Sequence, residues 1–227
     1  MIRNILIGFS AMAFAATAVA QGPGGGQGNQ EPVEMGFFIT SVGMGNGADL
    51  GGLEGADAYC QSLAEEAGSD RTWAAYLSAK AEGRSPAVNA RDRIGTGPWH
   101  NAQGLMVAAD LDALHYDNSN IHYMGALDEN GSSVNSGAHN NSPNRHDILT
   151  GSNMDGTVTT GDDGTCSNWT SSSDGNAIVG HHDRFRGSNP GSSWNSVHPS
   201  RGCSQITLPL VVVLDYSTAS LSIDFKH

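Results

Sequence analysis

The 227-residue chain carries a net charge of −12 and only eleven Lys and Arg residues. Binding nucleic acid or another polyanion needs clustered cations, and those present, such as Arg91, Arg93, Arg145 and Arg184, are scattered among polar neighbours, which marks them as loop braces. An apolar fraction of 38% suffices for one core, so a single domain behind a processed N-terminus is the economical organisation.

Residues 1–20 read as a secretory signal peptide: Arg3 supplies the positive n-region, Ile5 to Val19 the apolar stretch, and Ala18-Val19-Ala20 the cleavage site. The apolar run is short and broken by Gly8, Ser10 and Thr17, so no membrane span is expected in the mature chain, and the location is secreted or periplasmic. Residues 21–34, opening with QGPGGGQGNQEP, form a Gly-rich linker.

Met35 to Val42 is a run of strand formers, stopped by the Gly-rich Gly43 to Gly47. Leu50 to Ala67 places apolar residues at helical spacing, with Asp49 as N-cap, Gly68 as stop and Cys60 in the middle. Thr72 to Ser78 is a second strand, its Trp73 and Tyr76 assigned to the core. A short helix is expected over Met106 to Leu114, and Asp128-Glu129-Asn130-Gly131 reads as a hairpin turn. Arg145 to Ser152 is a short strand entering the Asp- and Gly-rich loop Asn153 to Gly164. Thr165 to Ser204 is rich in Gly, Ser, Asn and His and bracketed by Cys166 and Cys203; such a composition needs a covalent tie or outside packing to hold one conformation.

Together, the strand FFITS, the helix GADLGGLEGADAYCQSLAEEAG, the strand RTWAAYLS and then NARDRIGTGPW, NRHDILTGS, TCSNWTS and SWNSVH with GCS resemble the endostatin-like branch of the C-type lectin-like fold. The resemblance spans about Gly36 to Ser204 and includes in particular small secreted bacterial lectin-like proteins. It implies an α+β fold with small mixed sheets, an early helix and long irregular loops over residues 35–205. It also implies a Cys166–Cys203 disulfide and leaves Cys60 as an unpaired thiol, because the family's last cysteine is missing. Residues 206–227 are then expected to be an aberrant, frameshifted tail: codons permitted for this stretch, read one base earlier, can spell a Gly-rich turn followed by Tyr-Cys-Phe. The apolar run Leu208 to Leu214 invites aggregation unless it finds a place in the sheet.

The function the resemblance implies is that of an exported, non-catalytic module recognising carbohydrate. The alternatives are a cell-envelope or matrix module that binds proteins, and a metal-dependent hydrolase. No G-x-S-x-G elbow or H-E-x-x-H helix appears, so no enzyme is expected. Asn144, Asn168, Trp194, Asn195 and His198 are the candidate ligand-binding residues, on a face built from Asn135 to Ser152 and Asn168 to His198. Calcium is the first candidate ion, held by Asp162, Asp163 and Asn195, since hard oxygen ligands suit it; Ser196 stands where the family's second carboxylate would be. Zinc is second, because His146, His181, His182 and His198 share a loop-rich region with Asp147 and Asp183, although adjacent histidines on a strand point opposite ways. Arg91, Asp92, His146 and Asp147 are expected to be buried structural groups.

Overall fold

Alternation along short strands builds the centre of the molecule. Phe37–Ile39 (β1) is buried throughout, yet Phe38 joins one apolar cluster while Phe37 and Ile39 join another. Leu149 and Ile148 of Asp147–Leu149 (β5) divide in the same way. Successive side chains leave a strand on opposite faces, so the sheet is covered on both sides.

The computed structural model describes residues 33–117, 119–137, 140, 142–183, 193–204 and 210–215. The expected signal peptide, most of the linker, Arg184, Gln205, and residues 206–209 and 216–227 of the expected tail lie outside them. The arrangement is α+β, with few helices, small sheets and much loop. The remaining strands are Trp73–Ala75 (β2), Trp99–His100 (β3), Met106–Ala108 (β4), Ile178–His181 (β6), His198–Pro199 (β7) and Leu210–Asp215 (β8). The main sheet runs β1-β8-β5-β6-β7, with β2 also pairing β8. Pairing is antiparallel except between β5 and β8, where Ile148 opposes Leu210 and Leu149 opposes Val211. Residues 210–214 of the apolar run thus lie in the middle of the sheet, bonded to β1, β2 and β5.

One face is covered by the helix Gly52–Glu66 (α1), whose Ala56, Cys60, Leu63 and Ala64 recur at helical spacing and pack with Phe38, Trp73, Leu149 and Val179. The helix begins later than the sequence suggests. Asp49 Oδ1 accepts from Gly51 N, and Gly51 and Gly52 both take left-handed φ, so a glycine turn precedes the first helical turn in place of an Asp cap. Asp57 Oδ1 then accepts from Ala75 N at 2.9 Å while its other oxygen pairs with Arg93, which also donates to Ala75 O, clamping α1 to β2. The opposite face is covered by Trp99 of β3, Val107 of β4, and Ile94, Leu114 and Trp194 from the segments between strands.

Two local expectations are corrected. Met106–Ala108 is a strand pairing β3, its Met106 exposed and Val107 buried; helical geometry starts only past Asp110, whose Oδ1 accepts from Ala113 N. Asp92 is exposed and bonded to Asn89, and Arg91 is half-buried with its guanidinium on Asp155 O, so this pair is not the buried one expected. The Asp128–Gly131 turn forms as expected: Asp128 Oδ1 accepts from Asn130 N and Ser132 N, and Leu127 bridges Ser133.

Cys166 and Cys203 are bonded to each other at 1.99 Å, and Cys60 is a buried free thiol whose pKa burial pushes well up. The segment Cys166–Trp169 is a left-handed turn, with φ of 48°, 54°, 53° and 66° at four consecutive non-glycine residues. Each such residue costs about 1–2 kcal/mol. A set of polar contacts holds it: Asp163 accepts from Thr165 N, Thr165 Oγ1 and Ser167 N, Thr165 Oγ1 accepts from Asn168 N, and Trp169 Nε1 donates to Ser78 O.

Candidate functional site

The end of the sheet formed by β5, β6 and β7 gathers the imidazoles. Asp147 lies directly opposite His181, and His198 lies opposite Val179, two residues along the same strand face. His181 Nε2 is 3.0 Å from Asp147 Oδ1 and 3.1 Å from His198 Nε2. His146 stacks on His181, ring centroids 4.0 Å apart and planes 15° from parallel, and sits 3.3 Å from both Asp147 and Asp183. His181 is buried, His146 half-buried, and Asp147 and His198 exposed. Burial pushes the Asp147 carboxyl up, but the hydrogen bond from His181 and the fields of His181, His146 and His198 outweigh it and hold the group below the usual carboxylate range.

His146 and Asp147 were expected to be buried structural groups; His146 is instead half-buried and Asp147 exposed, both within this cluster. His182, the first residue past β6, is fully buried, its pKa lowered to about 4 by desolvation against the opposing pull of Asp183.

Most of the other candidate residues are occupied by the scaffold. Asn168 grips the chain at Lys80, accepting from Lys80 N at 2.7 Å and donating to Lys80 O. Asp163 caps the left-handed turn. Lys80 Nζ donates to the carbonyls of Gly161 and Asp162, so the loop expected to hold calcium already holds an ammonium. Trp194 is buried, its Nε1 donating to Leu114 O at 2.7 Å. Asn195 is fully buried, its amide donating to Tyr76 Oη and to the carbonyls of Asn153 and Met154, and its Oδ1 accepting from Ser193 Oγ. Trp194 and Asn195 therefore brace the core, and Asp162, Asp163 and Asn195 are not assembled into an ion site. Asn144, exposed, accepts from His146 N and leads into β5, so Asn144 and His198 are the two candidates beside the imidazole cluster.

The Asn195 network ends in a histidine with a fixed tautomer. His115 Nδ1 lies 2.7 Å from Leu111 O, an acceptor only, so it carries the proton; Nε2 accepts from Tyr76 Oη at 2.7 Å. Burial lowers the His115 pKa below 6.5. A base held neutral in the fold contributes stability that is complete above pH 6.5, where folded and unfolded chains are both unprotonated, and is lost as pH falls towards the depressed folded value. The unfolding free energy of the wild-type chain is therefore expected to fall more steeply below pH 6.5 than that of His115→Leu. Parallel pH dependences in urea titrations of the two would refute this.

No family model matches the chain, and comparison with curated proteins finds no match. Among the described residues no helix is long and apolar enough to cross a membrane.

Proposed function

We propose that the chain is an exported, non-catalytic binding module of C-type lectin-like fold, and that it takes a carbohydrate-class ligand at the β5–β6–β7 face. The observation that carries the reading is the exposed Asp147 carboxylate flanked by the imidazoles of His146, His181 and His198. A carboxylate beside imidazole nitrogens can exchange hydrogen bonds with the paired hydroxyls of a sugar, and strand backbones hold these groups in fixed positions. The net charge of −12 favours a neutral ligand over a phosphorylated or sulfated one. Export is supported by the disulfide and by the signal-like N-terminus.

The test is a glycan array probed with the purified full chain, with and without calcium. Binding is expected in both conditions, because Lys80 rather than an ion occupies the Gly161 and Asp162 carbonyls, and Asp147→Asn is expected to abolish it. Silence on every glycan would overturn the carbohydrate class, and turnover of a bound glycan would overturn the non-catalytic reading.

A further inference from the structure

We infer that Asp147, His181 and His198 form a binding site for a divalent transition-metal ion of the zinc class. One ligand atom from each of the three falls within 4.8 Å of the other two. The two contacts at His181 Nε2, 3.0 Å to Asp147 and 3.1 Å to His198, are close to the spacing that tetrahedral coordination imposes: with bonds of 2.0–2.1 Å, ligand atoms lie about 3.3 Å apart. Movement of the exposed Asp147 and His198 side chains about the buried His181 centres an ion among them.

The hydrogen bonding of the cluster points the same way. His198 Nδ1 lies 2.9 Å from Pro199 O, and a carbonyl only accepts, so neutral His198 carries its proton on Nδ1 and turns the lone pair of Nε2 towards His181. A ring nitrogen bonded to a backbone carbonyl while its partner nitrogen faces the site is the arrangement that orients metal-ligating histidines. His181 Nε2, by contrast, meets an acceptor carboxylate and an acceptor nitrogen at nearly equal distances with one hydrogen to offer both. An ion replaces that hydrogen, which leaves to solvent, and satisfies all three groups at once.

Ring orientation selects these ligands from the neighbouring ones. The His181 and His198 planes cross at 76°, so in-plane lone pairs can converge, whereas His146 is stacked almost parallel to His181 and acts as a support that touches Asp147 and Asp183. Two imidazoles and a carboxylate suit zinc, nickel or copper and not calcium, which takes six to eight oxygen ligands. The exposure of Asp147 and His198 leaves the fourth position open to water or an incoming ligand.

The inference concerns the same side chains as the carbohydrate reading but does not require it, and its test is separate. Untagged full-length protein, stripped with a chelator, is titrated with zinc chloride in the absence of any glycan, followed by calorimetry and by the melting temperature. One equivalent is expected to bind with micromolar or tighter affinity and to raise the melting temperature. Asp147→Asn and His198→Ala are each expected to weaken binding at least tenfold, with Asp162→Asn unchanged. Substituting cobalt should give the intense visible absorption of a four-coordinate site, lost in His198→Ala. Absence of zinc binding by the wild-type chain, or wild-type affinity in both Asp147→Asn and His198→Ala, would overturn the assignment. Zinc binding without glycan binding would sink the carbohydrate reading alone, and glycan binding by metal-free protein that takes up no zinc would sink this one alone.

Discussion

Replacing Cys203 with serine is expected to cost about 4 kcal/mol of unfolding free energy, the entropy of opening a loop whose ends are 37 residues apart. The segment inside that loop supplies few apolar groups of its own, and both cysteines are fully buried in the α1-side core, so the bridge also excludes water from Trp169 and Val179. The serine hydroxyl would add a buried polar group. Guanidinium titrations of wild type and variant measure the difference, and a loss below about 1 kcal/mol would show that packing alone holds the segment. Thiol titration of the wild type under denaturing, non-reducing conditions should find one thiol per chain, at Cys60.

Asn195→Ala is expected to lower stability by about 3 kcal/mol, on the order of a 6–12 °C fall in melting temperature for a domain of this size. The side chain serves the Tyr76 hydroxyl, two backbone carbonyls and the Ser193 hydroxyl in a site closed to solvent, and alanine removes every one of those bonds while leaving the partners buried. Asn144→Ala, at an exposed position that accepts one backbone N–H, should cost less than about 1 kcal/mol. Differential scanning calorimetry of the two variants separates core brace from surface residue, and equal losses would refute the distinction.

These two asparagines show where sequence reasoning stops. Both were candidate ligands, because an amide that would coordinate calcium and one that braces a core have the same chemistry, and only burial tells them apart. The helix, the first two strands, the Asp128–Gly131 turn and the loop-rich character of the rest were legible, since each is written in local periodicity or turn chemistry. The imidazole cluster was legible only as a composition. His146, His181 and His198 come from three separated segments, and which of them meet depends on the registers of β5 with β6 and of β6 with β7. That the adjacent His181 and His182 have different surroundings could be foreseen; the position of Asp147 at the open end of β5 could not, because a charged residue starting an apolar strand reads equally well as a buried pair. Met106–Ala108 was misread for a related reason: three residues are too few to establish a period, and their partner Trp99 lies outside the local window.

The left-handed turn at Cys166–Trp169 has a consequence for how this part of the molecule opens. None of its four residues favours its own conformation, so the turn gains nothing by keeping one of them in place after the others let go. Fraying from one end, the usual fate of a short surface segment, is closed to it. The Asp163 carboxylate, the Trp169 indole and the Lys80 backbone that holds Asn168 must be released together, which makes the region from Asp163 to Thr170 one cooperative unit of local unfolding whose protection from hydrogen exchange rises and falls as a block.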